Sequence, residues 1–145
     1  PEAMRLHAEL YVHLMFRRCG LSRAEREFVA VVVSAANGCE YCFAHHKRAL
    51  NFYWKDEERI DALKNGLDAE GLDDRLYTLG RYAIKLTRAP STVTEVDIQA
   101  LRRCGLEDED ILELNLVVSY FNFVNRIALG LGVEFSEEEV GGYKY

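Results

Sequence analysis

The 145-residue chain has only two prolines, Pro1 and Pro90. No Asn-Gly pair joins two stretches of alternating apolar residues, so nothing signals a hairpin-built β fold. No apolar run approaches the roughly 18 residues that a membrane-spanning helix needs. The opening residues, Pro1-Glu2-Ala3-Met4-Arg5, contain no apolar core of a secretory signal. The chain also does not begin with Met, which leaves room for residues before Pro1. A basic stripe is missing too: the net charge is −6, which argues against nucleic acid as the main partner. There is no internal repeat, no low-complexity segment, no second CxxC and no HxxxH pair. These absences lead to the expectation of a cytoplasmic protein that engages neither membrane nor nucleic acid. In that reducing compartment, its four cysteines point to redox or metal chemistry rather than to structural disulfides.

What is present is helical periodicity. Hydrophobic residues make up 49% of the chain and charged residues 29%, the balance of an ordinary globular protein. The length fits one domain, 1–145, able to bury its own core, with 133–145 expected as a loosely ordered acidic tail. A first amphipathic stretch runs from about Glu2 to Arg18, with apolar positions at Leu6, Leu10, Val12, Leu14 and Phe16, and Cys19-Gly20 ends it. Ser22-Arg23-Ala24-Glu25 forms a capping box that opens a second helix reaching about Ala36. Asn37-Gly38 stops it, both residues tolerating the left-handed conformation. Further helices are expected from near Cys39 to Tyr53, from Glu57 to Gly66, from Asp73 to Thr87, from Thr94 to Cys104-Gly105, and from Asp108 to Leu131. Val29–Val33 and Leu116–Val124 carry β-branched and aromatic runs. The caps around them, and the length of the surrounding pattern, favour buried helices over strands. The expected fold is therefore all-α, a bundle of about six to seven helices.

The chemistry-bearing segment is Asn37-Gly38-Cys39-Glu40-Tyr41-Cys42-Phe43-Ala44-His45-His46. Cys39 and Cys42 are three residues apart, and Cys42 and His46 four, so on a helix all three share one face. Gly38 places Cys39 at the helix start, where free N–H groups and the dipole favour a thiolate, the reactive form of cysteine. His46 lies one turn from Cys42, within reach of its proton. Glu27 falls in register with Ala24, Phe28, Val31 and Ala35. A carboxylate on such a buried face needs a partner, and His46 across the Asn37-Gly38 turn is a natural one, with Arg pairing as the alternative. A zinc site of Cys39, Cys42, His46 and one of His45, His7 or His13 is also compatible with these residue types. Cys19 and Cys104 each precede a Gly at a helix end and read as small packing residues. In the last helix, Asn115, Ser119, Asn122 and Arg126 form a narrow polar stripe, either a solvent face or a buried seam.

Glu27, Cys39, Cys42 and His46 together reproduce an E-x11-C-x2-C-x3-H pattern. On that pattern the chain resembles the AhpD-like (alkylhydroperoxidase D, carboxymuconolactone decarboxylase-like) superfamily. Leu21–Glu27 and Phe121-Asn122-Phe123-Val124-Asn125-Arg126 look like its peroxidase-related branch. The resemblance implies an AhpD-like helical bundle and a homo-oligomer, trimer or hexamer. It implies a thiol-dependent hydroperoxide reductase that acts on a small hydroperoxide and needs no bound cofactor or metal. Cys42 would attack, Cys39 would resolve, and His46 with Glu27 would take the proton. An external dithiol or a lipoylated protein would regenerate the pair. One departure stands out: relatives with this activity carry a His between the cysteines where this chain has Tyr41. The CxxC alone is equally consistent with a disulfide reductase or redox relay that does not reduce peroxide. A non-enzymatic zinc-binding helical module remains the third reading.

Overall fold

The computed structural model describes residues 1–68, 71–134 and 136, and contains seven α-helices and no strand among them. They are α1 (Glu2–Phe16), α2 (Arg23–Asn37), α3 (Glu40–Trp54), α4 (Glu57–Ala62), α5 (Asp74–Arg88), α6 (Glu95–Arg103) and α7 (Asp108–Gly130). Short 3₁₀ turns follow α4 at Leu63–Asn65 and α5 at Pro90–Thr92. Apart from residues 133, 134 and 136, the expected tail lies outside the described residues.

Helix α2 is the centre of the bundle, packed against α1, α3, α5 and α7. Its β-branched run is buried on every side, with Phe28 through Val33 no more than 2% exposed. A segment enclosed all round gains nothing from amphipathic spacing, which is why the valines could pass for a strand. The ends decide the matter. Ser22 Oγ accepts the Glu25 backbone N–H, and the Glu25 carboxylate accepts that of Ser22. Such a cap is worth about 1 kcal/mol. At the other end Gly38 takes a left-handed φ of 66° and donates its N–H back to the last turn. The same reciprocal capping opens α6 at Thr94 and Asp97, and α7 at Glu107 and Asp110.

Two expected boundaries shift. The first helix ends at Phe16, not Arg18, because Arg17 turns extended and its guanidinium pairs with Glu109 and Glu113 of α7. The fourth stops at Ala62, tightens into the 3₁₀ turn and reaches Gly66 at φ 132°, a conformation that suits glycine. A larger difference concerns α1. Leu14 and Met15 are buried, but Leu6, Leu10, Val12 and Phe16 are all exposed, so most of the expected apolar face points away from the core. The loop after α1 is held by a close approach: Gly20 donates its N–H to the buried Asp110 carboxylate at 2.6 Å. A Cβ at residue 20 would overlap Asp110 Oδ2, so a side chain there forces the carboxylate aside.

Candidate functional site

The site forms where α2 ends, α3 begins and α7 passes behind them. The turn at Gly38 places Cys39 as the N-cap of α3 rather than within its first turn. Cys39 donates its backbone N–H to the Ser34 carbonyl at 2.9 Å and accepts that of Phe43 at 2.9 Å. Both cysteines are free thiols and nearly enclosed, Cys39 1% and Cys42 3% exposed, with Ala128 of α7 packed against them. An open pocket of about 480 Å³ reaches the pair at Cys39, lined by Gly38, Tyr41, Ala128 and Leu129 among others, while Cys42 lies behind it. Tyr41 therefore borders the opening, with its ring edge-on to His45 at 4.4 Å. Phe43 does not: it is buried in the core beneath the Lys64 ammonium.

Glu27 is fully buried and engages both of the partners considered for it. Its Oε2 lies 2.7 Å from His46 Nδ1, and its Oε1 lies 2.5 Å from Arg23 Nη2. With the Glu27 carboxylate as acceptor, Nδ1 is the donor of this bond, which leaves Nε2 free of it. The His46 ring packs edge-on against Phe121 at 4.6 Å, which limits its rotation. His46 and Cys42 sit one helical turn apart on α3, as neighbours on one face. Among the described residues no group of three or more His, Cys, Asp or Glu is placed to hold a metal ion, so the cysteines and His46 do not converge as zinc ligands.

Behind the cysteines lies a set of uncharged amides, of which the sequence marked Asn122 as part of the polar stripe and left Asn125 outside it. Asn125 of α7 is fully buried. Its Oδ1 accepts from Asn37 at 2.9 Å, its amide donates to Ser34 Oγ at 3.3 Å, and its side chain also hydrogen-bonds Cys42. Asn37 bonds Asn122 as well, and Asn122 donates to Thr87 at 2.9 Å. The polar stripe of α7 thus divides. Asn115 and Asn122 are a half-buried seam against α5, through Tyr82 and Thr87, whereas Ser119 and Arg126 are exposed. Among the described residues Arg126 pairs with no carboxylate, and it folds back on Asn122. The available signal for Asn125 was its place three residues after Asn122 in an otherwise apolar stretch.

Burial pushes the Cys42 thiol up to about 12, helped by its hydrogen bond with Cys39 and by repulsion from charge on that sulfur, while the Asn125 amide works in the opposite direction. Two sulfurs this close titrate as a pair: once one is ionised, loss of the second proton is opposed. The raised value also has a sign for stability. The folded state keeps the Cys42 proton that the unfolded chain releases near 9.0, the ordinary value of a thiol, so this contribution is full below about pH 9 and is lost towards pH 12. Alkylation of Cys42 by iodoacetamide, followed by mass spectrometry of its peptide, should therefore still accelerate with pH between about 10 and 11 in the folded chain. A rate that levels off by about pH 9.5, with the fold intact, would contradict the raised value.

The model of the carboxymuconolactone decarboxylase family matches residues 1–82. An uncharacterized peroxidase-related protein from Silicibacter sp. TM1040 is 32% identical, with a TM-score of 0.91 over 99% of this chain and 75% of its own. A second such protein, from Ralstonia eutropha JMP134 and described as an alkylhydroperoxidase AhpD core, is also 32% identical, with a TM-score of 0.89 over 95% of this chain and 73% of its own. The debrominase Bmp8 shares the fold alone, at 15% identity and a TM-score of 0.80 over 94% of this chain and 73% of its own. With more than half its length matched by that model, and with these helical relatives, the chain belongs to the carboxymuconolactone decarboxylase family within the AhpD-like superfamily.

Proposed function

We propose that this protein is a thiol-dependent hydroperoxide reductase working through Cys42, Cys39, His46 and Glu27. The observation that carries the reading is the buried Glu27–His46 hydrogen bond at 2.7 Å, one helical turn from a free and enclosed cysteine pair. Buried Cys42 holds its proton tightly, so its reaction requires a base, and His46 Nε2 is the acceptor on the neighbouring turn. Glu27 stabilises the imidazolium that forms, and Arg23 pairs with the other oxygen of Glu27. The Cys42 thiolate attacks the distal oxygen of the hydroperoxide. The O–O bond breaks, the sulfur becomes a sulfenic acid, and the alkoxide leaves as alcohol with the proton that His46 returns. The Cys39 thiol then displaces water from Cys42–SOH, closing a Cys39–Cys42 disulfide. A dithiol, free or on a lipoylated protein, reduces it by exchange. Because the pocket opens at Cys39, that sulfur is the one the reductant reaches.

The relatives support a peroxidase-like role at the level of the family, and the Bmp8 fold marks how far its chemistry spreads. One hydroperoxide equivalent should convert the wild-type pair to a Cys39–Cys42 disulfide, read by mass spectrometry after thiol blocking. Cys39→Ser should accumulate a Cys42 sulfenic acid trapped by dimedone, and Cys42→Ser should react at least 100-fold more slowly, the scale of a lost activated nucleophile. Rapid trapping on Cys39 in the Cys42→Ser variant would reverse the roles. Exchange with dithiols but no reaction with peroxide would favour the disulfide reductase.

A homo-oligomer is part of the same proposal. Met4, Leu6, Leu10 and Val12 on α1, together with Leu112, Leu116, Phe123 and Ile127 on α7, leave large apolar side chains in water on two helices that pack together. A second copy of the chain would cover them. Sedimentation equilibrium should report a trimer or hexamer, weakened by Leu10→Glu, and a monomer at micromolar concentration would remove this part.

A further inference from the structure

At the opposite end of α2 from the cysteines, the α1–α2 connection encloses a second pocket of about 580 Å³. Its lining includes Arg17, Arg18, Arg23, Arg26, Cys19 and Tyr53, and no acidic residue. In a chain of net charge −6, that is a strong local concentration of positive charge. Two of the arginines are neutralised. Arg17 pairs with Glu109 and Glu113, and Arg23 pairs with Glu27 while lying over the Phe16 ring. Among the described residues Arg18 and Arg26 have no carboxylate at ion-pair distance.

Arg26 is the informative member. It is 1% exposed, and it donates to the Leu14 carbonyl and to Cys19 Sγ, the latter at 2.8 Å. Among the described residues its Nε has no hydrogen-bond partner. Cys19 Sγ also accepts the Leu21 backbone N–H at 3.3 Å, so that sulfur is held as an acceptor rather than acting only as filler. A buried guanidinium without a counter-charge is costly, and a donor left unmade adds to that cost. The start of α2, at Ser22 and Arg23, lines the same opening, its helix dipole already met by the Glu25 carboxylate of the capping box. An anion in the pocket would supply the counter-charge that Arg18 and Arg26 lack, and the planar fork of arginine suits a carboxylate or a phosphate.

We propose that this pocket binds a small oxyanion, a phosphate or carboxylate group on a small molecule, held by Arg26 and Arg18. The pocket also shares Arg23 with Glu27, so its occupant sits one residue from the Glu27–His46 pair. The site itself stands independently of the peroxidase reading. Isothermal titration of the full chain with inorganic phosphate, and separately with citrate, at ionic strength held constant with sodium chloride, tests it. The expected result is saturable binding of at least one of them at one site per chain. Arg18→Ala should weaken it about tenfold, the loss of one charge-assisted hydrogen bond, without changing the melting temperature of the free protein, because Arg18 is exposed. Arg26→Gln, where it folds, should abolish binding. Tighter phosphate binding assigns a phosphate-bearing ligand, and tighter citrate binding a carboxylate. Heats no larger than those of sodium chloride for both anions, or unchanged affinity in Arg18→Ala, would overturn the proposal.

Discussion

The site rests on one buried carboxylate. Glu27 lies in the most enclosed helix of the bundle, where a lone charge would be untenable, and it is held from two sides by Arg23 and His46. That arrangement links three parts of the molecule. Arg23 belongs to the first turn of α2 and ties Glu27 to the α1–α2 connection. His46 belongs to α3 and carries the constraint to the turn where Cys42 sits. The enclosing valines keep water away, so each of these contacts acts in a medium that strengthens it. A buried ion pair of this kind is weak evidence for stability, since apolar residues could fill the same space. An oriented imidazole is what the proposed chemistry draws from it.

The cysteine pair shows the same trade in another form. Enclosure by α7 raises the cost of ionising Cys42, and the adjacent sulfur raises it further once charged. Enclosure also shields a reactive sulfur from large thiols, leaving Cys39 as the face of the pair that meets the open pocket. The amide of Asn125 is the counterweight. It offers a neutral donor to Cys42 without placing a fixed positive charge beside it. Through Asn37 and Ser34 it also braces the turn that sets the two sulfurs together.

Much of this was legible from residue order. Capping residues such as Ser22 with Glu25, and Thr94 with Asp97, announce helix starts through their own hydrogen-bonding capacity, and Asn37-Gly38 announces a stop. The Glu27 to His46 spacing named a pairing that the fold brings to 2.7 Å. What stayed hidden depends on which face of a helix meets which neighbour. Helix α1 has helical spacing, but the same spacing serves a core and an external contact, and most of its apolar residues point outward. In α7, Asn122 is half-buried, Asn125 fully buried and Arg126 exposed, although the first and last were grouped by their spacing of four. Only the position of α2 and α5 against α7 separates them. Arg26 was similarly silent, because nothing in its neighbours along the chain marks a guanidinium that folds into the core.

The central claim is that Glu27 and His46 act as one unit on Cys42, and a double-mutant cycle on the rate of peroxide-driven disulfide formation tests it most directly. His46→Gln should slow the reaction about 100-fold or more, the scale of a lost general base. Glu27→Gln should slow it by less, and the double variant should be no slower than His46→Gln alone, with folding of each variant checked by its thermal melt. Independent, multiplicative effects of the two substitutions, or an unchanged rate in folded His46→Gln, would contradict the account.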